Sequence, residues 1–133
     1  MTSPSPLSSF AAMGLIAAQA VPAGAEPVLG TWRTGPDSKD QYAHVVVERC
    51  AQDICGTIAR AFDAQGREIH TPNVGERVFW GLEPAGGNRY EGRAYVPAHD
   101  RTYDGELVLE GDRLTVRGCL GPVCRSQKWR RVR

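Results

Sequence analysis

RGCLGPVCRSQKWRR, residues 117–131, gives the clearest indication of the fold of this chain. Cys119 and Cys124 bracket a Leu-Gly-Pro-Val turn, and an alternating segment that ends in Trp129-Arg130-Arg131 follows them. This pattern predicts a β-hairpin whose second arm is the last strand of the chain. Far upstream, the short piece Gly30-Thr31-Trp32 opens the first strand-like segment. We expect these two ends to meet and to close a small β-barrel.

The first 25 residues differ in composition from the rest of the chain. They contain no Asp, Glu, Lys or Arg, so the 16 basic and 15 acidic residues all follow them. Residues 10–21 are almost entirely apolar, and the triplet Ala23-Gly24-Ala25 has the small-x-small pattern of a signal peptidase site. The apolar run is too short for a membrane-spanning helix. We predict a signal peptide over residues 1–25, with an Ala-rich disordered tail as the alternative.

The remaining residues, 26–133, are predicted to form a single domain. The formal net charge of the chain is +1, which gives no basic face of the kind that nucleic-acid-binding proteins show. The local basic excess over residues 128–133 is interpreted as the solvated face of a terminal strand. The prediction is a monomeric periplasmic or secreted protein that does not bind nucleic acid and does not span a membrane after signal removal.

Four cysteines in an exported chain indicate two disulfides. Cys50 and Cys55 are separated by four residues, as are Cys119 and Cys124, so each pair could join the two arms of its own hairpin. Crossed pairs and a four-thiolate zinc site are the alternatives. An oxidising compartment disfavours the zinc site, and four intervening residues are at the upper end of the usual ligand spacing.

The chain after residue 26 reads as a succession of short strands joined by turns, with no convincing helical period. Gly111-Asp112, for example, is a two-residue turn between two alternating runs. About eight antiparallel strands with one buried face most simply close as an up-and-down barrel, because closure removes the sheet edges. A two-sheet β-sandwich is the alternative. The predicted strands are residues 28–33, 43–50, 55–61, 78–82, 89–96, 102–109, 113–117 and 125–132, and residues 63–77 are predicted to be irregular.

Gly30-Thr31-Trp32 resembles the Gly-x-Trp of the first strand of lipocalins and fatty-acid-binding proteins. In those barrels a basic residue of the last strand packs over the Trp and shuts the base. The resemblance implies that Arg130 or Arg131, next to Trp129, makes a cation–π contact with Trp32, which is worth about 0.5–2 kcal/mol.

Residues 29–132 also resemble a small family of secreted bacterial proteins known only as domain of unknown function 2147. Arg117-Gly118-Cys119 and the Cys-Arg-Ser-Gln-x-Trp of residues 124–129 carry this resemblance most specifically, together with Leu29-Gly30-Thr31-Trp32, Arg49-Cys50, Cys55-Gly56, Trp80-Gly81-Leu82 and residues 92–103. The segment 63–77 is shorter than the family's acidic, Pro-rich loop, and residues 97–100 replace its usual turn. The resemblance implies export and a compact β-fold, and no established activity.

No pattern in the sequence indicates a catalytic centre. The three histidines are scattered, without the spacing of a metal site, so neither a metal nor a cofactor is predicted. Our leading hypothesis is a non-catalytic binding module for a small apolar or amphipathic ligand or an envelope component. Given the short chain, we expect a filled or shallow barrel interior. The candidate ligand-binding residues are Trp80, Tyr90, Arg93, Tyr95, His99 and Tyr103.

Two other functions stay open at this point. An enzyme would use a polar site formed by Arg93, Tyr95, His99, Asp100 and Tyr103, although a hydrogen-bonded turn explains the same residues. A structural or inhibitory module would act through exposed loops. The enzyme hypothesis requires the five side chains to converge in a concave site.

Overall fold

The computed structural model describes residues 26–133, so the predicted signal peptide lies outside the described part of the chain. One turn of 3-10 helix spans Pro97–His99. Within residues 26–133, no helix has the length and apolar character needed to cross a membrane. The strands are β1 (Gly30–Arg33), β2 (Tyr42–Cys50), β3 (Asp53–Phe62), β4 (Glu68–Ile69), β5 (Arg77–Pro84), β6 (Arg89–Val96), β7 (Arg101–Glu110), β8 (Arg113–Leu120) and β9 (Val123–Arg131).

Eight of these strands close into an antiparallel up-and-down barrel. Each pairs with its neighbour in the order β1-β2-β3-β5-β6-β7-β8-β9, and β9 returns to β1 through Trp32 opposite Arg131 and Arg33 opposite Arg130. The predicted barrel is therefore confirmed over the sandwich alternative. β4 is a two-residue strand that pairs with the end of β3, within the segment predicted to be irregular. β1 begins two residues later than predicted, because the chain before it forms a turn closed by Leu29 N–H donating to the Glu26 carbonyl at 3.1 Å.

Both predicted hairpin disulfides are present. Cys50 and Cys55 join β2 to β3 with their Cα atoms 5.8 Å apart, and Cys119 and Cys124 join β8 to β9 at 4.1 Å. The local connectivity is thereby confirmed over crossed pairs, and it leaves no free thiolate among residues 26–133 for a zinc site. The β2–β3 hairpin lies at one end of the barrel and the β8–β9 hairpin at the other.

Large side chains fill the barrel half that contains the β2–β3 hairpin, called here the closed half. Alternate residues of each strand point inward, as the period of a half-buried strand requires. Burial of these side chains is the main favourable term for a domain of this size. The residues that fill the closed half are Val28, Trp32, Val47, Ile54, Leu82, Tyr90, Leu107 and Leu114, all at most 4% exposed.

Arg131 and Trp32 shut the closed half. The Arg131 guanidinium carbon lies 4.3 Å from the centroid of the Trp32 ring, and its N–H groups donate to the Leu29 and Pro27 carbonyls at 2.9 and 2.7 Å. The Trp32 indole N–H donates to the Val28 carbonyl at 2.9 Å. A Cβ at residue 30 would lie 2.9 Å from the guanidinium, and the φ angle there is 131°, so glycine is required at Gly30.

The other two residues predicted to take part in closure lie elsewhere. Arg130 is exposed on the outer face, because adjacent residues of a strand point to opposite sides of the barrel. Trp129 points inward and packs against Phe79, with the ring centroids 5.3 Å apart. Its ring therefore belongs to the other half of the barrel, described below, and not to the contact of Trp32 with Arg131.

The outer face carries a row of basic side chains across five neighbouring strands. The strand register places Arg113 opposite Arg130, Arg130 opposite Arg33, Arg33 opposite His44 and His44 opposite Arg60. Burial, and after it the charges of Arg60 and Arg33, lower the pKa of His44, so the histidine is held in its neutral form. Like charges directly opposite each other destabilise a sheet, and this row therefore lowers the stability of the barrel wall.

We expect Arg130→Glu to raise the free energy of unfolding, because it replaces two like-charge pairs with two opposite-charge pairs worth about 0.2–1 kcal/mol each. Arg117→Glu on the same outer face is the matched control, since Arg117 lies opposite Glu106. There the same substitution creates a like-charge pair and should lower stability. Urea unfolding midpoints of the two variants measure the effect, and a shift of both in the same direction would contradict the explanation.

Candidate functional site

The second half of the barrel, called here the open half, contains a cavity of about 380 Å³. It opens at the end where β1 ends and β9 begins, opposite the Trp32–Arg131 closure. The volume falls at the lower end of the range of about 300–1,000 Å³ that is usual for small-molecule sites. The interior is thus filled over one half only, which corrects the expectation of a filled or shallow interior throughout.

Small inward residues explain why the open half is hollow. Ala43, Ala61, Ala94 and Gly118 line the cavity at positions whose counterparts in the closed half carry large side chains. None of the four side chains is larger than a methyl group, so none of them reaches the opposite wall of the barrel. The remaining inner wall is apolar and consists of Val45, Ile58, Val78, Phe79, Val116 and Trp129.

Polar groups are confined to the rim, and most of them are already engaged. The Asp37 carboxylate accepts from the backbone N–H groups of Lys39 and Gln41 at 2.8 and 2.9 Å, and so caps the β1–β2 loop. The Gln127 side-chain carbonyl accepts from the Trp129 indole N–H at 2.6 Å. These two contacts fix the loop and the indole, and they leave the amide N–H₂ of Gln127 without an assigned acceptor among the described residues.

The 3-10 turn between β6 and β7 forms one side of the rim. The Tyr95 hydroxyl donates to the Asp100 carboxylate at 2.7 Å, and this hydrogen bond raises the pKa of Tyr95. Asp100 adopts the left-handed conformation with φ 45° and ψ 50°, which ends the turn. His99 Nδ1 lies 3.0 Å from the Tyr103 hydroxyl oxygen. Both pairs are local contacts that hold the turn over the cavity mouth.

The six candidate ligand-binding residues separate into two groups. Tyr95, His99 and Tyr103 line the cavity mouth. Trp80 and Arg93 do not, because they lie opposite each other on the outer face, where Arg93 forms an ion pair with Asp104. The inward partners at the neighbouring positions are Phe79 and Ala94.

Tyr90 is the remaining candidate, and it is buried in the closed half. Its hydroxyl donates to the Glu26 carboxylate at 2.9 Å. Burial, and then the hydrogen bond to Glu26, raise the pKa of Tyr90 to about 12. The side chain therefore belongs to the closure of the barrel base and cannot reach a ligand in the open half.

The five residues of the enzyme hypothesis do not converge on one point. Tyr95 with Asp100 and His99 with Tyr103 form two separate pairs at the rim, and Arg93 is on the outer wall. The convergence that the hypothesis requires is absent from this cluster.

Two rim residues were missed by the reasoning from sequence. Arg125 and Gln127 line the cavity, on the same side of β9 as Trp129. Counting back from Trp129 in steps of two could have identified both, since alternate residues of a strand share a face.

Comparison with known proteins supports the architecture. None of the curated proteins matches the chain. A solved structure of HP1028 from the human pathogen Helicobacter pylori, described as belonging to the lipocalin family, is similar with a TM-score of 0.61 and 15% identity. The match covers 79% of this chain and 82% of that chain, and at this identity it shows the fold alone. The lipocalin-like resemblance is thereby confirmed for the fold.

The second resemblance is tested by a family model. The model described as an uncharacterized protein conserved in bacteria (DUF2147) matches residues 30–131, a range that begins with the first residue of β1 and ends with the last residue of β9. It thus includes the disulfides, the closure and the cavity walls. The chain belongs to this DUF2147 family.

Proposed function

We propose that the protein is an exported, non-catalytic binding module that takes a small amphipathic molecule into the open half of its barrel. The observation that carries the proposal is the cavity of about 380 Å³, with an apolar wall and a polar rim at its mouth. Ligand sites typically combine such a wall with a few polar groups that orient the molecule. The apolar part of the ligand would lie against Phe79 and Trp129.

The size of the ligand follows from the volume. One water, with a single non-hydrogen atom, occupies about 30 Å³ in the liquid. A cavity of about 380 Å³ therefore holds about a dozen non-hydrogen atoms. This size favours a ten-carbon chain or a compact ring system over a large lipid or a peptide segment.

Two features support export. Disulfides persist in oxidising compartments and are rare in the cytosol, and both pairs here close local hairpins. The family is bacterial, which makes the periplasm or the medium the expected location. We propose that residues 1–25 direct this export as a cleaved signal peptide and that the mature domain acts as a monomer.

Ligand binding is tested by filling the cavity. Val116 lines the cavity on β8, and Val108 on β7 points outward. We expect the wild-type protein to bind an apolar fluorescent dye that decanol displaces. Val116→Trp should weaken dye and decanol binding at least tenfold, because the indole occupies the ligand's space. Val108→Trp should leave both unchanged.

Either of two results would contradict the proposal. Failure of the wild-type protein to bind either probe, or equal binding by both tryptophan variants, would show that the cavity is not the site. Matching urea midpoints for the two variants would establish that the comparison is made between folded proteins.

A further inference from the structure

Arg125 has an unusual position at the cavity mouth. It lies on β9 opposite Gly118, and it shares its side of the strand with Gln127 and Trp129. Since glycine has no side chain, nothing on the neighbouring strand β8 covers the arginine at this level. Arg125 is exposed and is one of the residues that line the cavity.

The charges around the mouth are not balanced. Among the residues that line the cavity, only Asp37 and Arg125 carry a full charge at neutral pH. The Asp37 carboxylate is engaged by two backbone N–H groups of its own loop. Within residues 26–133, no carboxylate lies within 4.0 Å of Arg125, whereas Arg89, Arg93 and Arg131 each have an acidic partner. Arg125 is therefore a cation at the mouth without an anion.

The groups beside Arg125 are hydrogen-bond donors. The carbonyl of Gln127 is occupied by Trp129, so the part of this side chain left to a ligand is its amide N–H₂. An anionic oxygen placed here would meet a guanidinium and an amide, and no carboxylate of residues 26–133 is paired with that guanidinium. Hydrogen bonds from such a charged donor to an anion are about twice as strong as neutral ones.

We infer that the ligand is an anionic amphiphile, whose carboxylate or similar oxyanion binds Arg125 at the rim while its apolar tail enters the open half. This inference rests on the proposed function and specifies the head group. Arg125 orients the ligand, and the apolar wall holds its tail. A medium-chain carboxylate of about ten carbons satisfies both the volume and the charge.

Three probes with the same tail and different heads test the inference: decanoate, decanol and decylammonium. We expect the wild-type protein to bind decanoate about two- to fivefold more tightly than decanol, because an exposed ion pair contributes about this much. Decylammonium should bind more weakly than decanol, since Arg125 repels it. Raising the salt concentration should reduce the preference for decanoate, because the rim is exposed.

Arg125→Gln should remove the preference, so that the variant binds decanoate no more tightly than decanol. Arg117→Gln is the matched control, because Arg117 lies on the outer face of the same hairpin and should keep the preference. Equal affinity of the wild-type protein for decanoate and decanol, or an undiminished preference in Arg125→Gln, would overturn the inference and leave the proposed function standing. Absence of binding by all three probes would overturn the proposed function as well.

Discussion

We expect Trp32→Ala to lower the free energy of unfolding by about 3–5 kcal/mol, the usual cost of removing a large aromatic side chain from a core. Trp32 is completely buried, and its ring is covered by the Arg131 guanidinium at 4.3 Å. The substitution also frees the Val28 carbonyl, which loses its indole N–H donor. Since domains of this size are stable by about 5–15 kcal/mol, the variant should be only marginally folded.

Urea unfolding, followed by tryptophan fluorescence and circular dichroism, measures this loss. Trp80→Ala is the matched control, because Trp80 is also a tryptophan but faces outward and is half-buried. It should cost much less, since only part of its surface is withdrawn from water. An equal loss of stability in the two variants would show that Trp32 at the barrel base contributes no more to stability than an outward-facing tryptophan does.

A double-mutant cycle then separates the arginine from the ring. Arg131→Met retains the apolar stem and removes the guanidinium, including its hydrogen bonds to Pro27 and Leu29. The coupling between Arg131→Met and Trp32→Ala isolates the cation–π contact, for which we expect about 0.5–2 kcal/mol. A coupling near zero would assign the role of Arg131 to its backbone hydrogen bonds alone.

The barrel could be predicted from the sequence because its determinants are local. Alternation in β7 and β8, the Gly111-Asp112 turn and the cysteine pairs each specify a hairpin without knowledge of the rest of the chain. The closing pair required only a basic residue on the last strand, and the structure selects Arg131 over Arg130 by the direction in which alternate residues point. The alternation of apolar and polar residues along the strands therefore predicted most of the fold.

The cavity could not be predicted in the same way, because it depends on which side chains meet across the barrel. Ala43 on β2 and Gly118 on β8 are distant in sequence, and nothing in the sequence around either residue indicates that both line one cavity. Trp80 and Arg93 were predicted as ligand residues from their chemistry alone, without regard to the side of the strand on which they lie. The inward direction of Arg125, in contrast, could be predicted from the sequence, because Arg125 lies four residues before Trp129 on the same strand.

Irregularities of β5 explain why simple alternation failed near Trp80. Val78 and Phe79 are adjacent in sequence and both are buried, and the register with β6 shifts between Trp80 and Glu83. Gly81 has a φ angle of 61° within this shift. A bulge changes the face to which the following side chains of the strand point, and no short motif in residues 77–84 predicts a bulge there.

The bulge itself provides the second large prediction, which concerns Gly92 on β6. A Cβ at this position would lie 2.7 Å from the carbonyl oxygen of Gly81 and 2.8 Å from that of Trp80. Both contacts are with backbone atoms, which cannot move aside as the end of a side chain can. We expect Gly92→Ala to cost about 3 kcal/mol in the free energy of unfolding, at the upper end of the range for overpacking.

Gly118→Ala is the control for Gly92→Ala, because it adds the same methyl group on the same inner face. There the new Cβ would lie 3.3 Å from the Cβ of Tyr103, a contact that a shift of a few tenths of an ångström relieves. We therefore expect a loss of less than about 1 kcal/mol, measured by the same urea titrations. Equal losses in the two variants would mean that β5 can retreat from β6, and the bulge would then be a flexible element and not a fixed part of the wall. A selective loss at Gly92 would show that the close approach of the two backbones sets the curvature on which the open half depends.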